Sequence, residues 1–188
     1  AKNIGVQPVM DAVVDLVPAP DWRPAKLRVN GQEQELAVSA AAPFAAYVFK
    51  TISDPYTGRI SLLRVFTGGI ASDAHVLNPN RNASERLGAL SAPQGKELLH
   101  VTELAPGDIG AVPKLKETHT GESLCEAKKD LRIEPVPIPE PAISFALEPK
   151  SKGDEDKLAA GLAKIRDEDP TITVGRDPQT KEMLISGA

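Results

Sequence analysis

The sequence has a single cysteine, Cys125, and aromatic residues make up only 4% of its 188 positions. One thiol excludes an intramolecular disulfide and a multi-cysteine metal centre, and it fits a reducing compartment. So few aromatics leave the core to aliphatic side chains. No apolar run reaches the length of about 18 residues that a membrane helix needs, and no signal peptide is visible. A basic excess is also missing: 22 Lys and Arg stand against 26 Asp and Glu, a formal charge of −4. That balance argues against a general nucleic-acid binder but allows a local basic patch. His75, His100 and His119 have no metal-ligand spacing with one another or with Cys125. They read as structural or exposed side chains, and Cys125 reads as a small packed residue. No Ser-His-Asp set is suggested beyond the presence of those residue types.

What is present divides along the chain. In residues 1–20, Val6, Val9, Met10, Val13, Val14 and Val17 recur at helical spacing. Pro8 suits the first turn, and Pro18 and Pro20 stop the helix. A helix this apolar needs a partner, and it reads as the last helix of a preceding domain. Residues 21–42 contain "AKLRVNGQEQELAV", in which Asn30-Gly31 between extended segments signals a hairpin. The remainder of that segment reads as a connector. Residues 43–134 are β-rich. Short apolar runs ("FAAYVFKTI", "RISLLRVF", "AHVLN", "ERLGAL", "IGAVPKL") alternate with turn clusters such as Gly68-Gly69, Asn78-Pro79-Asn80 and Pro106-Gly107-Asp108. This spacing predicts a closed barrel or a sandwich. Alternate prolines make residues 135–141 a stiff polyproline II spacer and a domain boundary. Residues 142–188 read as a strand ("AISFALEP"), a helix with Leu158, Leu162 and Ile165 on one stripe, and a hairpin around Asp177-Pro178. Strand, helix, strand, strand is an incomplete ferredoxin-like βαββ unit. The fold class is therefore mainly β with α+β.

The segment "FKTISDPYTGRISLLRVFTGGI" poses the sharpest question. Asp54-Pro55-Tyr56-Thr57-Gly58 is a turn between two β runs, because Pro fixes φ, Asp bonds its own backbone and Gly allows positive φ. The return strand carries Arg59 and Arg64 among Ile60, Leu62, Leu63 and Val65, in a chain that is acidic overall.

Taken together, "GVQPVMDAVVDLVPAP", "FKTISDPYTGRISLLRVFTG", "ERLG", "LAPGDIGAVPKLKETHTGESLC" and "PAISFALEPKSKGDEDKLAAGLAKIRDEDPTITVGRDPQTKEMLISG" resemble bacterial translation elongation factor G. The resemblance is colinear and covers nearly the whole chain. It implies that Lys2 to Pro18 are the tail of a GTP-binding domain, that the β-rich part is the translation-factor β-barrel called domain II, and that the last part is the first half of domain III. After "ERLG" the chain reads "ALSAPQGKE", where the family carries Arg and His. In this, and in the segment from Trp22 to Ala42, it is similar to paralogues of elongation factor G.

The resemblance implies a ribosome-stimulated GTPase that uses GTP and magnesium. The phosphate loop GxxxxGK[ST] and the family's DxxGH and NKxD segments are absent here. This chain is therefore expected to hold no cofactor and to neither bind nor hydrolyse GTP. The implied partners are the ribosome, through small-subunit rRNA and a small-subunit ribosomal protein, and the chain's own GTPase domain; the implied location is the cytoplasm. Lys50, Arg59, Arg64, Lys114 and Lys116 are candidates for rRNA phosphate contacts, or for interdomain contacts where they face the GTPase domain. The plainer reading makes them barrel-surface cations with buried stems. Lys150, Lys152 and Lys157 surround a helix start and read either as a solvated face or as facing the GTPase domain. Asp169, Pro170 and Thr171 match the family segment that helps form the fusidic acid pocket. The acids of "RDEDP" read as a solvated helix end. The strand "AISFALEP" is expected to present an open edge, through which a neighbouring chain pairs or the domain loosens.

Three functions compete at this point. The first is a non-catalytic fragment of a factor promoting GTP-dependent translocation of tRNA and mRNA. The second is a paralogue with a recycling, protection or other specialised role. The third is a free-standing β-barrel interaction module.

Overall fold

The computed structural model describes residues 2–149, 151 and 153–188. Lys150 and Lys152 lie outside the described residues. The chain opens with α1 (Val6–Leu16), in which no residue is buried. Its apolar face is open to solvent, with Val9, Met10 and Val14 all more than half exposed. No described helix is long and apolar enough to cross a membrane.

A hairpin of β1 (Ala25–Val29) and β2 (Gln32–Leu36) follows. Its turn has φ of 50° at Asn30 and 83° at Gly31, the left-handed pair that a two-residue hairpin loop requires. The barrel strands come next: β3 (Ala45–Asp54), β4 (Gly58–Thr67), β5 (Ile70–Ala71), β6 (His75–Asn78), β7 (Ala83–Arg86), β8 (Leu90–Gln94), β9 (Glu97–Val101), β10 (Glu103–Leu104), β11 (Ile109–Pro113) and β12 (Ser123–Glu126). Eight of them form one antiparallel sheet in the order β7-β6-β12-β3-β4-β11-β8-β9, and β10 pairs with β5. The sheet rolls around an aliphatic cluster that takes Val48 from β3, Leu63 and Val65 from β4, Val76 from β6, Leu90 from β8, Val112 from β11 and Leu124 from β12. Few aromatics contribute, in keeping with the composition. Just after β4, a Cβ on Gly68 would run into the Phe44 backbone, and φ there is +69°, so the corner needs glycine.

One strand assignment differs from expectation. "ERLGAL" is not one strand but breaks between β7 and β8. Leu87 turns inward at the break and is fully buried, while Leu87 N–H bonds Ala74 C=O and Gly88 C=O accepts from Asp73 N–H. Burying that leucine outweighs continuing the ladder. The divergent stretch "ALSAPQGKE" forms most of the β8–β9 hairpin, with Gly95 at φ +63°.

The 21–42 segment is built into the barrel. The two-residue strand β13 (Leu131–Arg132) adds to β1, giving the order β13-β1-β2. Ala25, Leu27, Leu131 and Ile133 pack with Ala45, Tyr47 and Cys125 in a second cluster on the outer face of the barrel. β3 is thus buried on both faces, which explains the unbroken run Ala45, Ala46, Tyr47, Val48. Beyond the proline spacer come β14 (Ile143–Leu147), α2 (Glu155–Glu168), β15 (Thr173–Arg176) and β16 (Met183–Gly187). Their sheet runs β14-β16-β15. Among the described residues, β14 is paired on one side only.

Replacing Leu87 by Ala is expected to cost about 3 kcal/mol, since it opens a cavity in a packed core. Leu98→Ala on the exposed hairpin should stay within about 0.5 kcal/mol. Chemical denaturation of the two variants beside the parent chain checks both values.

Candidate functional site

The tip of the β3–β4 hairpin is set by Asp54. Its Oδ1 accepts the N–H groups of Thr57 at 2.6 Å and Tyr56 at 2.9 Å. These two bonds, Thr57's first, hold the Asp54 carboxyl below its ordinary value. The turn fixes the register that places Ser53 opposite Arg59.

Arg59 does not point into solvent. Its side chain is only 20% exposed. Nη2 donates to the carbonyls of Leu115 and Lys116, and Nη1 pairs with Asp167 Oδ2 at 3.5 Å. His119 Nδ1 lies 3.4 Å from the other oxygen of Asp167. One residue further, Glu168 Oε1 accepts Ser53 N–H at 2.6 Å. The last turn of α2 is thereby seated on the barrel. The geometry suits the charges, because a helix C-terminus carries partial negative charge that two more acids reinforce, and cations belong beside it.

The loop that receives Arg59 is itself held by two carboxylates, one buried and one partly buried. Glu85 on β7 is only 4% exposed. Its Oε1 accepts Glu117 N–H, Thr118 N–H and Thr118 Oγ1–H, and Oε2 accepts Lys116 N–H. Four donors match the acceptor capacity of a carboxylate, so burial leaves nothing unsatisfied. Glu122 closes the other end of the loop. It accepts His119 N–H and Asn78 Nδ2–H and pairs with Arg81 at 2.7 Å. Glu85 therefore orients the two carbonyls that grip Arg59, and Glu122 holds the backbone of His119.

The other expected site residues scatter. Arg64 is exposed on β4, with its guanidinium 5.4 Å from the Phe66 ring centre. Lys50 is exposed where the register of β3 shifts between Val48 and Lys50. Lys114, at φ 61°, and Lys116 are exposed beside the Arg59 pocket without being part of one cluster with Arg64. Lys157 pairs with Asp154 in the open first turn of α2. Asp169 caps α2, and its Oδ1 accepts Thr171 Oγ1–H at 2.6 Å and Thr171 N–H at 2.9 Å. The hydroxyl bond first, then the backbone bond, lowers its pKa. Pro170 follows and cannot extend the helix.

The acids of "RDEDP" are a correction. Asp167 is 23% exposed and ion-paired, and Glu168 is bonded to the barrel, so this helix end is not simply solvated. Two acids at a helix C-terminus oppose the helix dipole. That conflict is the sequence signal that an outside cation or donor must face them. Cys125 is buried, and its thiol donates to Lys129 C=O. Burial raises its pKa above the ordinary value. Among the described residues, no three His, Cys, Asp or Glu side chains group as a metal site.

Arg59→Ala should weaken the seating of α2 by about 1–2 kcal/mol, because it strips a charged donor from three acceptors. Hydrogen exchange should quicken in α2 while β4 and β11 stay protected. Asp54 and Asp169 have lowered folded-state pKa values, so their contribution is present above the ordinary value of 3.8 and is lost as pH falls through the lowered values. Thermal melts from pH 6 downward should lose less stability in an Asp54→Asn, Asp169→Asn double variant than in the parent chain.

Comparison with known proteins matches two consecutive parts of the chain. Residues 43–127 match the family described as "Elongation factor G domain 2", and residues 138–188 match "Elongation Factor G, domain III". No GTPase domain lies among the matched residues. A crystal structure of a protein from Thermus thermophilus superposes on 97% of this chain with a TM-score of 0.77 and 29% identity. The chain spans only 26% of that protein's length. The order of the two matches is also that of the two folded units described above, so the chain belongs to the elongation factor G family and carries its domains II and III.

Proposed function

We propose that this chain is the ribosome-contacting, non-catalytic part of a translational GTPase that promotes GTP-dependent translocation of tRNA and mRNA. The observation that carries this reading is the pairing of the two family domains, in order, through a bonded junction at Arg59, Asp167 and Glu168. A part that must transmit movement between its neighbours needs such a joint. In this reading, small-subunit rRNA and a small-subunit ribosomal protein are its partners in the cytoplasm. GTP and magnesium belong to a GTPase domain outside this chain. Lys157, Asp169, Pro170 and Thr171 would face that domain. The exposed apolar face of α1 would pack on it too.

A second reading is a paralogue specialised for recycling or protection. The β8–β9 hairpin favours it, since "ALSAPQGKE" lacks the family's Arg and His there and the rest of β9 exposes Leu98 and Leu99. We also propose that β14, when it has no further strand beside it, pairs with a second copy. Sedimentation of this chain should then show association that rises with concentration, and Phe145→Lys should reduce it.

The deciding experiment uses the longer protein of which this chain would form domains II and III. GTP hydrolysis is measured with and without ribosomes, beside a translocation assay. Ribosome-stimulated hydrolysis with translocation supports the first reading. Hydrolysis without translocation supports the second. Hydrolysis that ribosomes leave unchanged overturns both.

A further inference from the structure

Among the described residues, His119 is the one histidine in contact with a carboxylate. Its Nδ1 lies 3.4 Å from Asp167 Oδ1, while Arg59 Nη1 takes Oδ2 at 3.5 Å. The imidazole is 33% exposed, so protons reach it, and Asp167 is 23% exposed, so salt and water screen the pair only in part. The loop backbone holds the ring in place from both sides. His119 N–H donates to Glu122 Oε2 at 2.9 Å, and the next hydroxyl, Thr120 Oγ1, bonds Thr51 Oγ1 at 2.9 Å. His119 therefore stays with the barrel, and Asp167 arrives with α2.

That division decides how a proton on His119 acts. The barrel brings Arg59 on β4, Lys50 on β3, Glu85 on β7, and Lys114, Lys116, Glu117 and Glu122 on the loop itself. Arg59 is kept by the carbonyls of Leu115 and Lys116, Glu85 by the loop N–H groups, and Glu122 by Arg81 and Asn78. All of these remain whether α2 is seated or lifted. The end of α2 brings Asp167 and Glu168, while Arg166 is turned toward Val174 and Met183. Seating thus adds negative charge beside His119 and no positive charge. Repulsion from Arg59 acts in both states and drops out of the difference between them. A protonated His119 gains an opposite charge when α2 seats, and a neutral one does not. We propose that seating of α2 on the barrel is coupled to a proton on His119, so that the joint closes more firmly in mild acid and loosens as pH rises through the range where histidine titrates. The coupling holds for this chain whichever function its parent performs.

The Ser53 amide reports on the joint, because its N–H donates to Glu168 Oε1 at 2.6 Å. Its hydrogen exchange, corrected for the intrinsic dependence on pH, measures how often α2 lifts. On going from about pH 7.5 to about pH 5.5, where histidine gains its charge and carboxylates keep theirs, protection of Ser53 should rise about threefold, as one partly exposed ion pair gives. The Val65 amide, bonded to Asp108 C=O within the barrel, should keep the same corrected protection. His119→Gln keeps a polar side chain that cannot titrate, and it should abolish the rise. Asp167→Asn should abolish it too, although His119 still titrates. His75 and His100 remain in both variants, so a rise that survives either one has another source and overturns the proposal. Equal protection of Ser53 at the two pH values in the parent chain also overturns it. A weaker joint in His119→Gln with the same pH dependence makes His119 a packing residue and overturns it as well.

Discussion

The segment from Lys114 to Glu122 contains no helix or strand, yet both halves of the molecule meet on it. Its shape comes from the Glu85 carboxylate, which gathers three backbone N–H groups and a hydroxyl from within three consecutive residues. A loop with that many N–H groups turned inward would be costly without an acceptor, because buried donors without partners destabilise by about 1–3 kcal/mol each. Glu85 meets that demand, and in doing so leaves the carbonyls of Leu115 and Lys116 turned toward the β3–β4 hairpin. The guanidinium of Arg59 fills that position through Nη2, and Asp167 follows because Nη1 is left free to pair with it. The junction between the two domains is thus the far end of a polar chain that starts on β7.

The polar chain and the apolar packing meet at Leu115, which gives its carbonyl to Arg59 and its side chain to the inner core. One cluster lies inside the rolled sheet and the other lies between the sheet and the β1–β2 hairpin. β3 serves both, presenting Ala46 and Val48 inward and Ala45 and Tyr47 outward. The hairpin thereby covers what would otherwise be an exposed apolar outer face, and it leaves Arg28 and Lys26 on its own solvent side.

Much of this was legible in local sequence. Asp54 and Gly58, Asn30-Gly31, the alternating prolines and the helix stripe ending at Asp169-Pro170 each specify conformation through residues a few positions apart. What could not be read depends on distant partners. Arg59 and Asp167 are 108 positions apart, so nothing near either one announces the other. The same holds for Glu85 and its loop, and for Leu87, whose inward turn breaks a run that looks continuous. The hairpin at 25–36 was legible as a hairpin, but its place in the barrel was not, because that place depends on pairing with Leu131 and Arg132. Arg59 and Arg64 look alike in sequence, and only the fold separates one that is bonded from one that is open.

Tyr47 offers its phenolic oxygen to the N–H of Val136 at 3.1 Å, which fastens the start of the proline spacer to the barrel. The C-terminal unit is therefore attached twice, by a short stiff tether and by the contact at Arg59. When the contact opens, the tether keeps its two surfaces near each other at an effective concentration that free domains would not reach. Separation then becomes a brief excursion followed by rebinding, so the joint can act as a hinge that opens and recloses in register without either half drifting away.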